Sequence, residues 1–151
     1  MATPHHLPRG FTLLELMVVM ALLAVVVGMA TLSLRDSNAA RLDEEAARLS
    51  ALLEGARARS RAMGVEVDWQ PQPNAPGFRF LGLPEAVHLP DRWLDPDTRA
   101  EVIGAPQLVL GPEPVIGAQR VVISLGERRV VLATDGLGPF QPVGDAGGTA
   151  P

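Results

Sequence analysis

Cysteine is absent from the 151 residues of this chain, which excludes a disulfide framework, a thiolate metal site and a cysteine nucleophile. Lysine is absent too, so all thirteen basic residues are arginine. Proline is missing from one long stretch: none of the fourteen lies between Arg9 and Gln70, and twelve follow it. Charge is missing from the nineteen consecutive residues Leu16 to Leu34, a run that ends at Arg35. Over residues 11–63 only Gly28 and Gly55 interrupt the helix-forming composition. These gaps predict helix up to Met63 and strands joined by turns beyond it, with the boundary near Gly64. The length allows one modest domain plus an anchoring segment, and not two full domains.

What is present in the charge-free run matches a bilayer, since a spanning helix needs about 20 apolar residues. A removable secretory signal is one alternative, with Gly28 and Ala30 as the small residues before a cut. The run exceeds the usual core of about 7–15 residues, however, and passes without a break into proline-free chain. A plain single-pass anchor fits the length and leaves Glu15 unexplained. A carboxylate among lipid tails costs about 2.5–3.5 kcal/mol near a helix centre, and less toward the interface. A cut between Gly10 and Phe11 would supply its partner: the new α-amino group of Phe11 is a cation one helical turn from Glu15. The pair can neutralise itself within one chain or join two chains in register. A Glu15 that only reaches the headgroups remains the simpler alternative.

After Arg35 the pattern becomes amphipathic. Leu42, Ala46, Leu49, Leu53, Ala56 and Met63 recur at helical spacings on one face, with Asp43, Glu44, Arg48, Glu54, Arg57 and Arg59 largely elsewhere. Glu44 and Arg48 are placed for an i,i+4 ion pair. A helix from Phe11 to Met63 would be roughly 80 Å long, its second half packed on a sheet of the same chain rather than in a coiled coil. Gly28 and Gly55 are points where this helix is expected to bend.

In the second half of the chain, Val65, Val67 and Trp69 alternate with Glu66 and Asp68 as in a half-buried strand. Pro71 to Gly77 is expected as a loop, and Phe78 to Leu81 and Gln107 to Leu110 as strands. Arg120–Leu125 and Arg128–Thr134 should form a hairpin around Gly126-Glu127, since glycine at the first central position suits a type II′ turn. Pro84 to Gly104 is expected as a long loop pinned by Trp93, and residues 144–151 as a disordered tail. Residues 64–151 hold six arginines and eleven acidic residues, a field that repels phosphate backbones and disfavours nucleic acid as a partner.

No catalytic constellation emerges. There is no G-x-S-x-G or H-E-x-x-H, and Gly136-Leu137-Gly138 runs into Pro139 without a third glycine, as a turn and not a nucleotide fingerprint. His88 has no nucleophile motif beside it and is expected to be structural or at the surface. Asp91, Asp95 and Asp97 are oxygen ligands of the kind Ca²⁺ takes, but they lack the EF-hand pattern, and Arg92 and Arg99 compete for them. A solvated loop is the expectation.

The string Arg9-Gly10-Phe11-Thr12-Leu13-Leu14-Glu15-Leu16-Met17-Val18-Val19 resembles the processing site of type IV pilins and type II secretion pseudopilins. That resemblance implies a peptidase cut after Gly10, N-methylation of Phe11, and a role for Glu15 in assembly and membrane extraction. Pro114-Val115-Ile116-Gly117, the hairpin, and Thr134-Asp135-Gly136-Leu137-Gly138-Pro139-Phe140 are similar to the C-terminal region of H-type minor pseudopilins, the GspH/FimT family.

The fold implied is α+β and pilin-like: a leader at 1–10, a transmembrane half-helix at 11–34, an amphipathic half-helix at 35–63, an antiparallel β head at 64–143 and a flexible tail at 144–151. The role implied is a single-pass inner-membrane subunit with a periplasmic head, near the tip of the type II secretion pseudopilus, helping folded proteins cross the outer membrane. The implied partners are other major and minor pseudopilins, the prepilin peptidase, the inner-membrane assembly platform and the exported proteins, with no metal and no cofactor. The tip-capping pseudopilin is much larger and lacks this Glu, so Glu15 and a small head argue against that type. A minor pilin of a type IV pilus, serving assembly, adhesion or DNA uptake, stays open, although the acidic head disfavours DNA capture and the lack of a cysteine pair disfavours those pilins with disulfide-closed loops. A membrane-tethered enzyme or binding module is the third possibility, and no catalytic motif supports it.

Overall fold

A computed structural model describes residues 12–73 and 75–143, with the side chains of residues 30–36 outside the description. The expected leader with Gly10, the expected cut site at Phe11 and the expected tail 144–151 therefore lie outside the described residues. Among the described residues, one α-helix, α1 (Leu13–Met63), is followed by seven strands: β1 (Asp68–Gln72), β2 (Gly77–Leu81), β3 (Arg99–Val102), β4 (Leu108–Val109), β5 (Gln119–Leu125), β6 (Arg128–Thr134) and β7 (Gln141–Val143). This is the expected pilin-like α+β arrangement. The chain divides into two compact units, Met1–Ser37 and Asn38–Pro151.

Helix α1 runs through Gly28 and Gly55 in one element. Its end is a Schellman turn: Val65 N donates to Ser60 O at 3.2 Å across Gly64, whose φ is 65°. The Ser60 hydroxyl donates to Val65 O at 2.5 Å, so the exit from the helix is held twice.

In the second unit, strands pair antiparallel in two sheets, ordered β2-β1-β4 and β3-β5-β6-β7. The helical stripe Leu42, Ala46, Leu49, Leu53 and Ala56 is buried in one core with Trp69, Phe78 and Leu108 of the first sheet and Val121, Ile123 and Leu132 of the second. The alternation expected for Val67 and Trp69 and for Val121, Ile123 and Leu125 holds, since all five are buried. The hairpin turns at Gly126, whose φ of 59° suits the first central position of a primed turn. Trp93 pins its loop as expected: it is 7% exposed, with its ring centroid 4.6 Å from Phe78 and 6.3 Å from Trp69. Between the sheets the Gln119 side chain acts as a strand partner, accepting from Val109 N at 2.7 Å and donating to Val109 O at 2.8 Å.

Several expectations are corrected. Met63 is 39% exposed, and the stripe ends instead on fully buried Ser60. Pro71 belongs to β1, opposite Phe78. It is tolerated because β4 covers only Asp68 and Trp69, leaving β1 an edge at the proline. The Pro84–Gly104 loop contains β3, an edge strand on β5. Its sequence Arg-Ala-Glu-Val has little β character, so its pairing partner makes it a strand.

Arg48 pairs with Glu45 at 2.9 Å and not with Glu44, because Glu45 is turned inward, 2% exposed, and also accepts from Leu94 N at 2.7 Å. Arg57, expected among the polar positions, is 1% exposed. Its guanidinium donates to Gly138 O at 2.9 Å, Gly136 O at 2.6 Å and Pro114 O at 3.3 Å. These turn carbonyls face the protein interior and need donors, and a guanidinium supplies up to five from one side chain.

The 135–138 turn packs so closely on residue 116 that a Cβ at Gly136 would stand 1.7 Å from Ile116 O. Asp135 closes the turn, its Oδ1 accepting from Leu137 N at 2.9 Å and Gly138 N at 2.8 Å. The Gly138 amide, then the Leu137 amide, hold its carboxyl below the usual range.

Leu53→Ala should destabilise the head by about 2–5 kcal/mol, against a change within about 0.5 kcal/mol for exposed Met63→Ala. Both buried tryptophans report this as fluorescence during urea unfolding of the detergent-solubilised chain. Because the folded state depresses the Asp135 pKa, its contribution is present above the unfolded value of about 3.9 and lost as pH falls below it. Asp135→Asn, which keeps an acceptor oxygen, should flatten that acid limb in unfolding curves measured between pH 5 and pH 2.5.

Candidate functional site

The start of α1 is where sequence motif and structure meet. Thr12 is the N-cap: its Oγ1 accepts from Glu15 N at 3.2 Å, and its carbonyl accepts the first helical bond from Leu16 N at 3.2 Å. Thr12-Leu13-Leu14-Glu15 is thus a capping-box sequence, with Glu15 at the third helical position. The spacing of threonine and glutamate carries this signal, although Glu15 and not Thr12 was the expected site residue. A carboxylate in the first turn is also favoured by the helix dipole. Of the three expected site residues, Glu15 is described and exposed at the helix start, while Gly10 and Phe11 fall just before the described chain.

Beyond this turn the helix is apolar on every side. Leu16, Met17, Val18, Val19 and Met20 are all exposed, as are Leu22, Leu23, Val25, Val26, Val27 and Met29, and even the least exposed, Val19, stands at 41%. Successive helical residues turn about 100°, so this run leaves no polar face. Such a helix is stable when surrounded by lipid or other protein. Among the described residues, no helix is long and apolar enough to cross a membrane; the uncharged run continues to Leu34, into positions whose side chains are outside the description.

The other candidates do not assemble into a site. His88 is exposed. Asp95 is occupied: Oδ2 accepts from Arg41 at 3.1 Å and Oδ1 from Asp97 N at 3.0 Å. The competing cation is therefore Arg41 on α1, whereas Arg99 donates to the carbonyls of Pro96 and Thr98. Among the described residues no group of three or more His, Asp or Glu is placed to hold a metal ion.

A capped helix start with its glutamate, an apolar helical run and a β-rich head are consistent with a pilin-like α+β fold. A family model described as the prokaryotic N-terminal methylation motif matches residues 7–31. Over 46 residues the chain is 52% identical to the type II secretion system protein H of Pseudomonas aeruginosa, a match covering 30% of this chain and 27% of that protein. The matched stretch thus spans about a quarter of that relative's length, and it lies at the N-terminal end. Motif and identity together support an H-type pseudopilin. No solved structure matches the chain.

Replacing the cap tests the geometry of this start. Thr12→Val should loosen the first turn by about 1 kcal/mol, seen as several-fold faster amide exchange at Glu15 in detergent micelles. Thr12→Ser should restore the slow rate.

Proposed function

We propose that this chain is a minor pseudopilin, a structural subunit of the type II secretion pseudopilus. The observation that carries the proposal is the start of α1, where a methylation-motif sequence and a capped glutamate open a helix with no polar side. The precursor is inserted in the inner membrane as a single pass with its head in the periplasm, and cut between Gly10 and Phe11. It is then built into the tip region of the fibre that assists export of folded proteins. A carboxylate at the edge of lipid is costly alone and stable beside a cation, so Glu15 has reason to pair with the methylated amine of Phe11 on its own or a neighbouring chain. That pairing gives Glu15 its role in register and extraction. The prepilin peptidase, the assembly platform and other pseudopilins are the partners this route requires. A minor pilin of a type IV pilus shares the same chemistry, and the gene's neighbours distinguish the two.

N-terminal sequencing of membrane-extracted protein should begin at N-methyl-Phe11. A start at Met1, or at Thr31 after conventional signal cleavage, overturns the proposal. Glu15→Ala should be inserted and cleaved normally yet be depleted at least several-fold from sheared fibres. Wild-type incorporation of that variant would remove Glu15 from the mechanism.

A further inference from the structure

The two most exposed large apolar side chains of the described head, Leu137 at 69% and Val115 at 57%, stand on neighbouring loops. Ile116 N donates to Gly136 O at 3.2 Å, and the Arg57 guanidinium donates to both Pro114 O and Gly136 O. Residues 114–116 and 135–138 are therefore held as one unit on the end of the helical strip. The second loop is also tied from within. The Thr134 hydroxyl donates to Gly138 O at 2.7 Å and accepts from Gly136 N at 2.9 Å, while Asp135 Oδ1 takes the amides of Leu137 and Gly138. Exposed leucines scattered singly over a surface are ordinary. This one stands on a turn whose backbone is fixed to the helix, to the next loop and to itself. Two carboxylates border the pair: Glu113 and Asp135 are exposed, and neither has an ion-pair partner among the described residues. Residues 111–119 and 134–143 hold no basic side chain, and Arg57, which holds the loops from below, is 1% exposed. Strand β7 runs away from this turn along β6, from Ala133↔Gln141 to Val131↔Val143.

We propose that Leu137 and Val115 form an apolar knob that inserts into an apolar pocket of a different protein, one with arginine or lysine at its rim opposite Glu113 and Asp135. Ordering loops and side chains is a large part of what association costs, and here that ordering is complete in the free chain. Rigid apolar side chains inside a polar, charged border have the anatomy of an interface centre with its rim. The charges state what the partner carries. Unpaired carboxylates on this side attract a basic rim, which steers the encounter and fixes its orientation. The same carboxylates exclude two other occupants. Anionic headgroups are repelled, and the arginines and lysines that hold an apolar patch to a membrane surface are missing from both loops. In a two-fold contact between knobs of two copies, acid would meet acid. This inference rests on the head alone and does not require the membrane and fibre roles proposed above.

The test uses the full chain in the cells that make it, with the photo-cross-linking residue p-benzoylphenylalanine in place of Leu137. Leu94, which is 56% exposed and lies outside both loops, serves as the control position. Irradiation should give one discrete protein adduct from position 137 that position 94 does not give. Peptide mapping should place that cross-link among apolar residues flanked by arginine or lysine. Glu113→Lys, at an exposed side chain that takes no part in the turn, should lower the adduct yield by about fivefold or more, and Glu113→Asp should leave it unchanged. Absence of an adduct at position 137, or the same adduct from position 94, overturns the proposal. So does a cross-link to lipid, to a second copy of the chain, or to a site without basic residues. An unchanged yield from Glu113→Lys overturns it as well, since the acidic border would then select nothing.

Discussion

The head of this protein depends on one strip of α1, from Leu42 to Ser60, to which both sheets are joined in a single core. Leu42, Ala46, Leu49, Leu53 and Ala56 supply the apolar part of the strip. Arg57 supplies a cation that gathers three turn carbonyls at its end. Neither sheet is large: one has three strands and the other four. Small sheets of this kind need an apolar partner on one face to be stable, and here the helix is that partner. Polar bonds extend the same attachment along the helix. Arg41 reaches Asp95, Glu45 reaches Leu94 N, Arg48 reaches Arg92 O, Ser50 reaches Phe140 O, and Glu54 accepts from Phe140 N. Loops that would otherwise carry unsatisfied backbone groups are thereby fastened to a rigid element.

The other part of α1 obeys the opposite rule. From Leu16 to Met29 it has no polar side, and the carboxylate that precedes this run, Glu15, stands in the first turn. That position is the least costly one on an apolar helix, because the free amides and dipole of the N-terminus favour negative charge. Thr12 satisfies one of those amides, so the glutamate's own N–H is capped while its carboxylate is exposed. A side chain placed this way is compatible with lipid and still available to a cation.

Sequence periodicity went furthest where the chain is regular. The long helix, its buried stripe, the β5–β6 hairpin with its register and the alternation of Val67 and Trp69 follow from spacing alone, because periods of 3.6 and 2 are written directly into side-chain type. Three of the misjudged positions share a cause, which is that local character was overruled by a distant partner. Arg57 is charged yet buried, since carbonyls about eighty residues away in sequence need its donors. Arg48 turned to Glu45 because the Leu94 amide holds that carboxylate inward. The Arg99–Val102 segment became a strand because β5 offered it an edge.

What the sequence by itself determined is the chemistry of the candidate site: Gly10, Phe11 and Glu15 at set distances from an uncharged run, a pattern that needs no tertiary contact to exist. It also determined which helix face is apolar, since amphipathicity is a one-dimensional property. Only the tertiary structure decided that Arg57 and Glu45 lie inside the head and that Arg99–Val102 pairs with β5 as a strand. These outcomes depend on which backbone groups meet across long separations in the chain. Hydrogen-bond demand from a partner far away in sequence leaves no local periodic trace.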